Sequence, residues 1–230
     1  MDANRPDILP EAPASPRYDP ACRRCPRLAA FRDRVKTAHP GYWCAPVPPF
    51  GDDAARLLIV GLAPGMHGAN ATGRPFTGDH AGLLLYRTLH AFGFASAPVS
   101  VSRHDGLALI DCRINNAVKC LPPQNKPEPD EIRTCNAYLA ADLPSLGRAG
   151  AILALGRIAH EAVLRALGLR LREHPFAHGA RHAIERPAAG VVLFDSYHCS
   201  RYNTNTGRLT EAMFEAVFES IAAHLGRRRR

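Results

Sequence analysis

Four short segments of the chain read as strands: Leu57-Leu58-Ile59-Val60, Ile110 to Val118, Ala151 to Leu155 and Val191 to Phe194. The first is an unbroken branched apolar run, the pattern of a strand covered on both faces. Between and around them, apolar residues recur at spacings of three and four, which predicts amphipathic helices. One carries Leu28, Phe31 and Val35. A second starts near Thr77 to Asp79 and presents Leu83, Leu84, Leu85, Leu89 and Phe92. A third holds Ile132, Cys135, Tyr138 and Leu139, and a fourth, after Gly156-Arg157, packs through Ile158, Ala159, Ala162, Val163 and Ala166. A last one runs through Thr210, Met213, Phe214, Val217, Phe218 and Ile221. Strand alternating with helix predicts an α/β fold with a short parallel sheet of about four strands and helices on both faces.

In such a sheet, ligands gather at the C-terminal ends of the strands. The first strand runs into GLAPGMHGANATGRPFTGD, in which Gly61, Gly65, Gly68 and Gly73 let backbone approach a ligand, Phe76 offers a flat apolar face and Asp79 a carboxylate. That set suits a planar ligand. An Asp at a helix start ordinarily caps backbone N–H groups, so position alone does not make Asp79 catalytic. The second strand delivers Lys119 and Cys120 into LPPQNKPEPDE, and the fourth ends at Asp195-Ser196-Tyr197-His198, followed by a polar loop from Ser200 to Gly207.

With 230 residues and 46% apolar content, the chain is long enough for one domain with a real core, placed here at residues 18–226. Residues 1–17, with four prolines, read as a disordered lead-in and Arg227 to Arg230 as a solvated basic tail. A net charge of +8 favours an acidic partner such as nucleic acid. No apolar run reaches the ~18 residues of a membrane span, and no signal peptide is evident, so a cytoplasmic protein is expected. In a reducing compartment the seven cysteines point to metal rather than disulfides. Cys22 and Cys25 form a C-x-x-C, and Cys120 and Cys135 bracket a loop stiffened by prolines; the four together suit either zinc or an iron–sulfur cluster. Cys44, Cys112 and Cys199 read as unligated, His160 as an exposed helix residue, and His174 and His178 as structural or peripheral. A non-catalytic, zinc-containing nucleic-acid binder fits the same charge and cysteines. A nucleotide-binding enzyme fits less well, because LAPGMHGANATG has neither a Walker nor a G-x-G-x-x-G pattern.

Taken together, GLAPGMHGANATGRPFTGD, AVKCLPPQNKPEPDEIRTC and SYHCSRYNTNTGRLT resemble the three signature regions of the family 5 uracil-DNA glycosylases, and the likeness runs from Cys22 to about Phe214. The resemblance implies a three-layer α/β/α sandwich and a DNA-repair hydrolase that removes uracil from DNA. It implies a 4Fe-4S cluster on Cys22, Cys25, Cys120 and Cys135. Asp79 then corresponds to the catalytic carboxylate, with Asn125 and His198 as its companions. Phe76 corresponds to the face on which the extruded base stacks, and Gly61, Leu62, Ala63 and Gly65 to the turn beside it. Leu62 stands where the related family 4 enzymes have a Glu, which leaves the carboxylate role to Asp79. Asn116 stands where family 4 has an Asn that recognises uracil. Ser200, Arg201, Tyr202, Asn203 and Thr204 correspond to a DNA-contacting loop, and Lys119 is expected to meet phosphate. The expected enzyme is monomeric, acts on single- or double-stranded DNA, and has no lyase activity.

Overall fold

The computed structural model describes residues 18–147, 150–186 and 188–229, so the lead-in at 1–17 and Arg230 lie outside the described residues. In chain order the elements are α1 (Pro26–Ala38), β1 (Phe50–Gly51), β2 (Leu57–Gly61), α2 (Ala69–Thr72), α3 (His80–Ala91), β3 (Cys112–Asn116), α4 (Pro129–Asp142), β4 (Ala151–Leu155), α5 (Arg157–Ala166), β5 (Arg181–Ile184), β6 (Val191–Ser196), α6 (Arg201–Asn205) and α7 (Glu211–His224). The strands form one sheet in the order β1-β3-β2-β4-β6-β5.

The four expected strands are its parallel centre, β3-β2-β4-β6. Two further strands, β1 and β5, add antiparallel edges, so the sheet has six strands rather than about four. β1 is only two residues long, and β5 keeps a single buried residue, Ile184, so neither carries a readable pattern.

Side chains of β2 alternate between two cores. Leu57 and Ile59 pack with Leu84, Leu85 and Leu89 of α3 and with Phe214, Phe218 and Ile221 of α7. Leu58 and Val60 face the other way, onto Leu28 of α1, Leu139 of α4 and Ala162 and Val163 of α5. Alternation of this kind makes the sheet the middle of three layers. Leu83 and Ile158, expected on packing faces, are 60% and 37% exposed, because each sits one position off the inward stripe of its helix. No helix among the described residues is long and apolar enough to cross a membrane.

Parallel register aligns the strand ends: Gly61 lies opposite Asn116, and Leu155 opposite Ser196. From β2 the chain moves outward to β3 and then returns across β2 to β4, so the connections diverge between β2 and β4. That divergence opens a crevice at the C-terminal edge.

The basic C-terminus is not simply solvated. Arg227 pairs with Asp111 at 3.0 Å, donates to the Gly93 carbonyl at 2.8 Å and lies over Phe94, and Arg229 pairs with Glu215.

Candidate active site

A cavity of about 560 Å³ opens at this crevice. Leu62, Ala63, Gly65, Phe76 and Asp79 reach it from the segment after β2, Asn116 from the end of β3, and Asn125 from the proline-rich loop. Gly156 and Arg157 enter from β4–α5, and His198, Ser200 and Arg201 from the segment after β6. Residues spaced across some 140 positions of sequence therefore share one wall.

Phe76 is held in an αL backbone conformation, φ 52°, which a bulky residue adopts only when its surroundings enforce it. Arg74 provides part of that enforcement, bonding Thr77 Oγ1 and pairing with Asp105 at 2.5 Å, while Tyr86 Oη donates to the Pro75 carbonyl. Glycines provide the rest. A Cβ on Gly82 would lie 1.9 Å from the Phe76 carbonyl oxygen, and one on Gly61 would lie 2.7 Å from the Phe76 ring and 2.4 Å from Asn116 Oδ1. Gly61 does not line the cavity itself; it makes room for the two side chains that do.

Asp79 is the N-cap of α3, with Oδ1 accepting from Gly82 N at 2.9 Å. Capping and exposure to the cavity coexist, since one carboxylate oxygen suffices for the cap. Burial raises its carboxyl above the ordinary range, opposed by backbone N–H groups of Gly82 and Ala81. Gly68 closes around it, for a Cβ there would come 2.6 Å from Asp79 Oδ2.

The His198 ring stacks on Phe76, with centroids 5.9 Å apart and planes at 27°. Burial pushes its pKa down to about 4, so it is a neutral imidazole across the physiological range. Asn116 is 4% exposed and directs an unbonded carboxamide at the cavity, while Asn125 sits exposed at the rim in an αL conformation.

The segment Ser200 to Thr204 is the first turn and body of α6 rather than a loop; its Asn and Thr residues have low helix propensity, but Ser200 caps it through Asn203 N. Arg201 and Tyr202 project outward, and Tyr202 is 70% exposed. Asn203 and Thr204 turn inward. Asn203 Nδ2 donates to the His198 carbonyl at 2.8 Å, and Thr204 Oγ1 bonds His80 Nε2 at 2.9 Å. Lys119, expected at phosphate, is 2% exposed with Nζ donating to the Asn116 carbonyl; the chain buries it beneath β3 instead. Arg157 and His80 were overlooked in the sequence, where one reads as part of a turn and the other as the neighbour of a cap; both line the cavity.

A second pocket is lined by Cys22, Cys25, Cys120 and Cys135. All seven cysteines are free thiols; Cys112 and Cys199 are fully buried, and Cys44 is half-buried beside Asn70. Burial, with the neighbouring thiols, pushes Cys25 up to about 11 and Cys120 up to about 12, so these two would persist as thiolates only beside a cation. The surroundings suit sulfur ligands. Arg32 donates to Cys120 Sγ at 3.1 Å with its Nε left buried and unpartnered, and Lys119 N donates to Cys135 Sγ at 3.3 Å. Tetrahedral zinc, with Zn–S of about 2.3 Å, needs sulfurs about 3.8 Å apart. Among the described residues, the one pocket lined by all four sulfurs suits either that ion or an iron–sulfur cluster, which takes four thiolates as well.

Residues 48–222 match the model of the Uracil DNA glycosylase superfamily. The type-5 uracil-DNA glycosylase of Thermus thermophilus is 50% identical over 202 residues, covering 86% of this chain and 90% of the relative. That of Pyrobaculum aerophilum is 43% identical, covering 89% of each. The type-4 uracil-DNA glycosylase of Saccharolobus solfataricus is 29% identical, covering 88% of this chain and 82% of the relative.

Proposed function

The chain belongs to the uracil DNA glycosylase superfamily, and from that premise we propose that it hydrolyses the N-glycosidic bond of uracil in DNA, leaving an abasic site. The observation that carries this reading is the convergence of Asp79, Phe76, Asn116 and His198 on one cavity roomy enough for a pyrimidine and open to solvent.

Chemistry on the base requires it to leave the stack, at a cost of a few kcal/mol that is least for a mispaired or single-stranded base. Arg157 and Arg201 at the rim and Tyr202 outside it supply charge and surface for the DNA. The extruded uracil stacks on Phe76, and Asn116 offers a donor and an acceptor to its edge. As the bond lengthens, the sugar gains positive and the base negative charge. Neutral His198 donates a hydrogen bond to the departing base, Asp79 orients and deprotonates the water and stabilises the sugar cation, and Asn125 at the rim helps hold the complex. Leu62 contributes only shape. Lys119 is buried, with Nζ donating to the Asn116 carbonyl, and is given no part in the reaction, which is read as hydrolysis without lyase chemistry.

Cys22, Cys25, Cys120 and Cys135 would hold a 4Fe-4S cluster, whose role is to tie α1, α4 and the proline-rich loop together; hydrolysis needs no electron from it. The enzyme acts as a cytoplasmic monomer. The test is release of free base from a uracil-containing oligonucleotide and an alkali-labile abasic site in the product. A protein that binds that DNA and releases no base would instead be the non-catalytic nucleic-acid binder.

A further inference from the structure

Three side chains from three elements, none of them lining the cavity, meet beside β6: His160 of α5, His182 of β5 and Asp195 of β6. His160 and Asp195 are 2% and 0% exposed. His160 Nδ1 lies 2.7 Å from Asp195 Oδ1, and His182 Nε2 lies 3.1 Å from Asp195 Oδ2. The expectation of an exposed His160 is thus reversed: it faces the one buried carboxylate at the end of β6, which is 35 residues away in sequence.

The remaining nitrogen of His160 decides the chemistry of the cluster. Nε2 lies 2.8 Å from the His174 carbonyl oxygen, which can only accept, so Nε2 carries a hydrogen. A neutral His160 would then point the lone pair of Nδ1 at a carboxylate oxygen, and two lone pairs do not share 2.7 Å unless a cation lies between them. A proton fits the 2.7 Å as it stands; a metal ion, with bonds of about 2.0–2.2 Å at a tetrahedral angle, takes the proton's place once the two atoms part to about 3.3 Å. Histidine ligands to metals characteristically give their second N–H to a carbonyl or carboxylate, as His160 does here. One nitrogen from each histidine and an oxygen of Asp195 all lie within 4.8 Å of one another, and the His174 ring stands edge-on to His182 at 5.6 Å.

The geometry points to a binding site for a divalent transition ion, zinc foremost, held by His160, His182 and Asp195 with a fourth position left for His174 or water. Loading replaces the proton on His160 Nδ1, which leaves to solvent, and shifts the hydrogen of His182 from Nε2, where it now meets Asp195 Oδ2, to Nδ1 so that Nε2 can ligate. The ion would clamp the edge strand β5 and helix α5 to β6, the strand from whose end His198 emerges three residues after Asp195. It is separate from the four cysteines, and it does not enter the hydrolysis.

The test uses the iron-replete protein, stripped of loosely held metal with a mild chelator, incubated with zinc chloride and desalted. The expected result is one zinc per chain by elemental analysis with iron unchanged, a rise in Tm on zinc addition, and loss of both in His182→Ala. Asp195→Asn serves as the second variant should His182→Ala fold poorly, iron content reporting that the rest of the domain is intact. No retained zinc and no shift in Tm would overturn the proposal and leave a proton as the cation. Equal zinc in wild type and His182→Ala would also overturn it, by placing the ion elsewhere.

Discussion

Asn203 donates a 2.8 Å hydrogen bond from its carboxamide to the backbone carbonyl of His198, so the helix that presents Arg201 and Tyr202 to solvent also holds the backbone of the proposed leaving-group donor. Under the proposed function, this bond would link DNA engagement to the chemistry. Truncating it should misplace the imidazole without removing it. Asn203→Ala is expected to lower kcat on the order of tenfold while leaving DNA affinity within a factor of two or so, since small misplacements at a distance from the reacting atoms are costly. Single-turnover excision and equilibrium DNA binding measured side by side would separate this from Arg201→Ala, which should weaken binding and lower the salt slope by about one.

Gly68 offers a sharper case, because it is not among the residues that line the cavity. A Cβ there would sit 2.6 to 2.9 Å from three atoms of the Asp79 side chain. Gly68→Ala should therefore displace the carboxylate and reduce excision by roughly a hundredfold, with uracil-DNA binding retained. Excision within a few-fold of wild type would show that Asp79 does not need its present position.

The acid limb of activity follows from Asp79. Its carboxyl is raised above the ordinary 3.8 by burial, so kcat should rise with pH through a midpoint above that value and then level off. His198, pushed down to about 4, is neutral throughout the plateau and adds no second limb between pH 5 and 8. For stability the sign is set by the depressed His198 pKa: its contribution is complete above the ordinary histidine pKa of about 6.5 and is lost as pH falls from there through about 4. Rate and Tm profiles in the same buffers test both statements.

Much of this site is legible in the sequence because strand ends are. Gly61 and His198 fall at the ends of apolar runs, while Asn116, inside the expected strand Ile110 to Val118, is where β3 ends, and parallel register brings these ends together. Asp79 reads as a helix cap and is one; its proposed second role depends on the cavity beside it, whose walls come from the segments after four different strands. What was illegible has a physical reason in each case. β5 exposes most of its residues, so its alternation carries no hydrophobic signal. His160 lies on a helix whose polar residues look solvent-facing, and its partner Asp195 is brought to it by the sheet. Asn203 and Thr204 lie in a polar run that reads as loop and folds inward as α6. Lys119 reads as a phosphate contact by its neighbourhood in sequence and is buried by its place after β3.

Replacing any one of the four cysteines around the second pocket removes a proposed cluster ligand. Cys120→Ser or Cys25→Ser is expected to give protein with little iron, no visible charge-transfer absorption and a Tm several degrees lower. Excision should fall in proportion to the unfolded fraction rather than through kcat of the folded remainder. Wild-type protein that is colourless and carries one zinc in place of iron would contradict the cluster assignment.

The central claim is that Asp79 is the carboxylate of glycosidic hydrolysis, and its conservative variant tests it most directly. Asp79→Asn keeps a good N-cap and removes a charge that burial disfavours, so it should fold with a Tm equal to or above wild type. Single-turnover excision of uracil from an oligonucleotide, measured beside affinity for the same DNA, is predicted to fall by at least 10²- to 10³-fold with binding unchanged. Excision by folded Asp79→Asn within about tenfold of wild type would contradict the account.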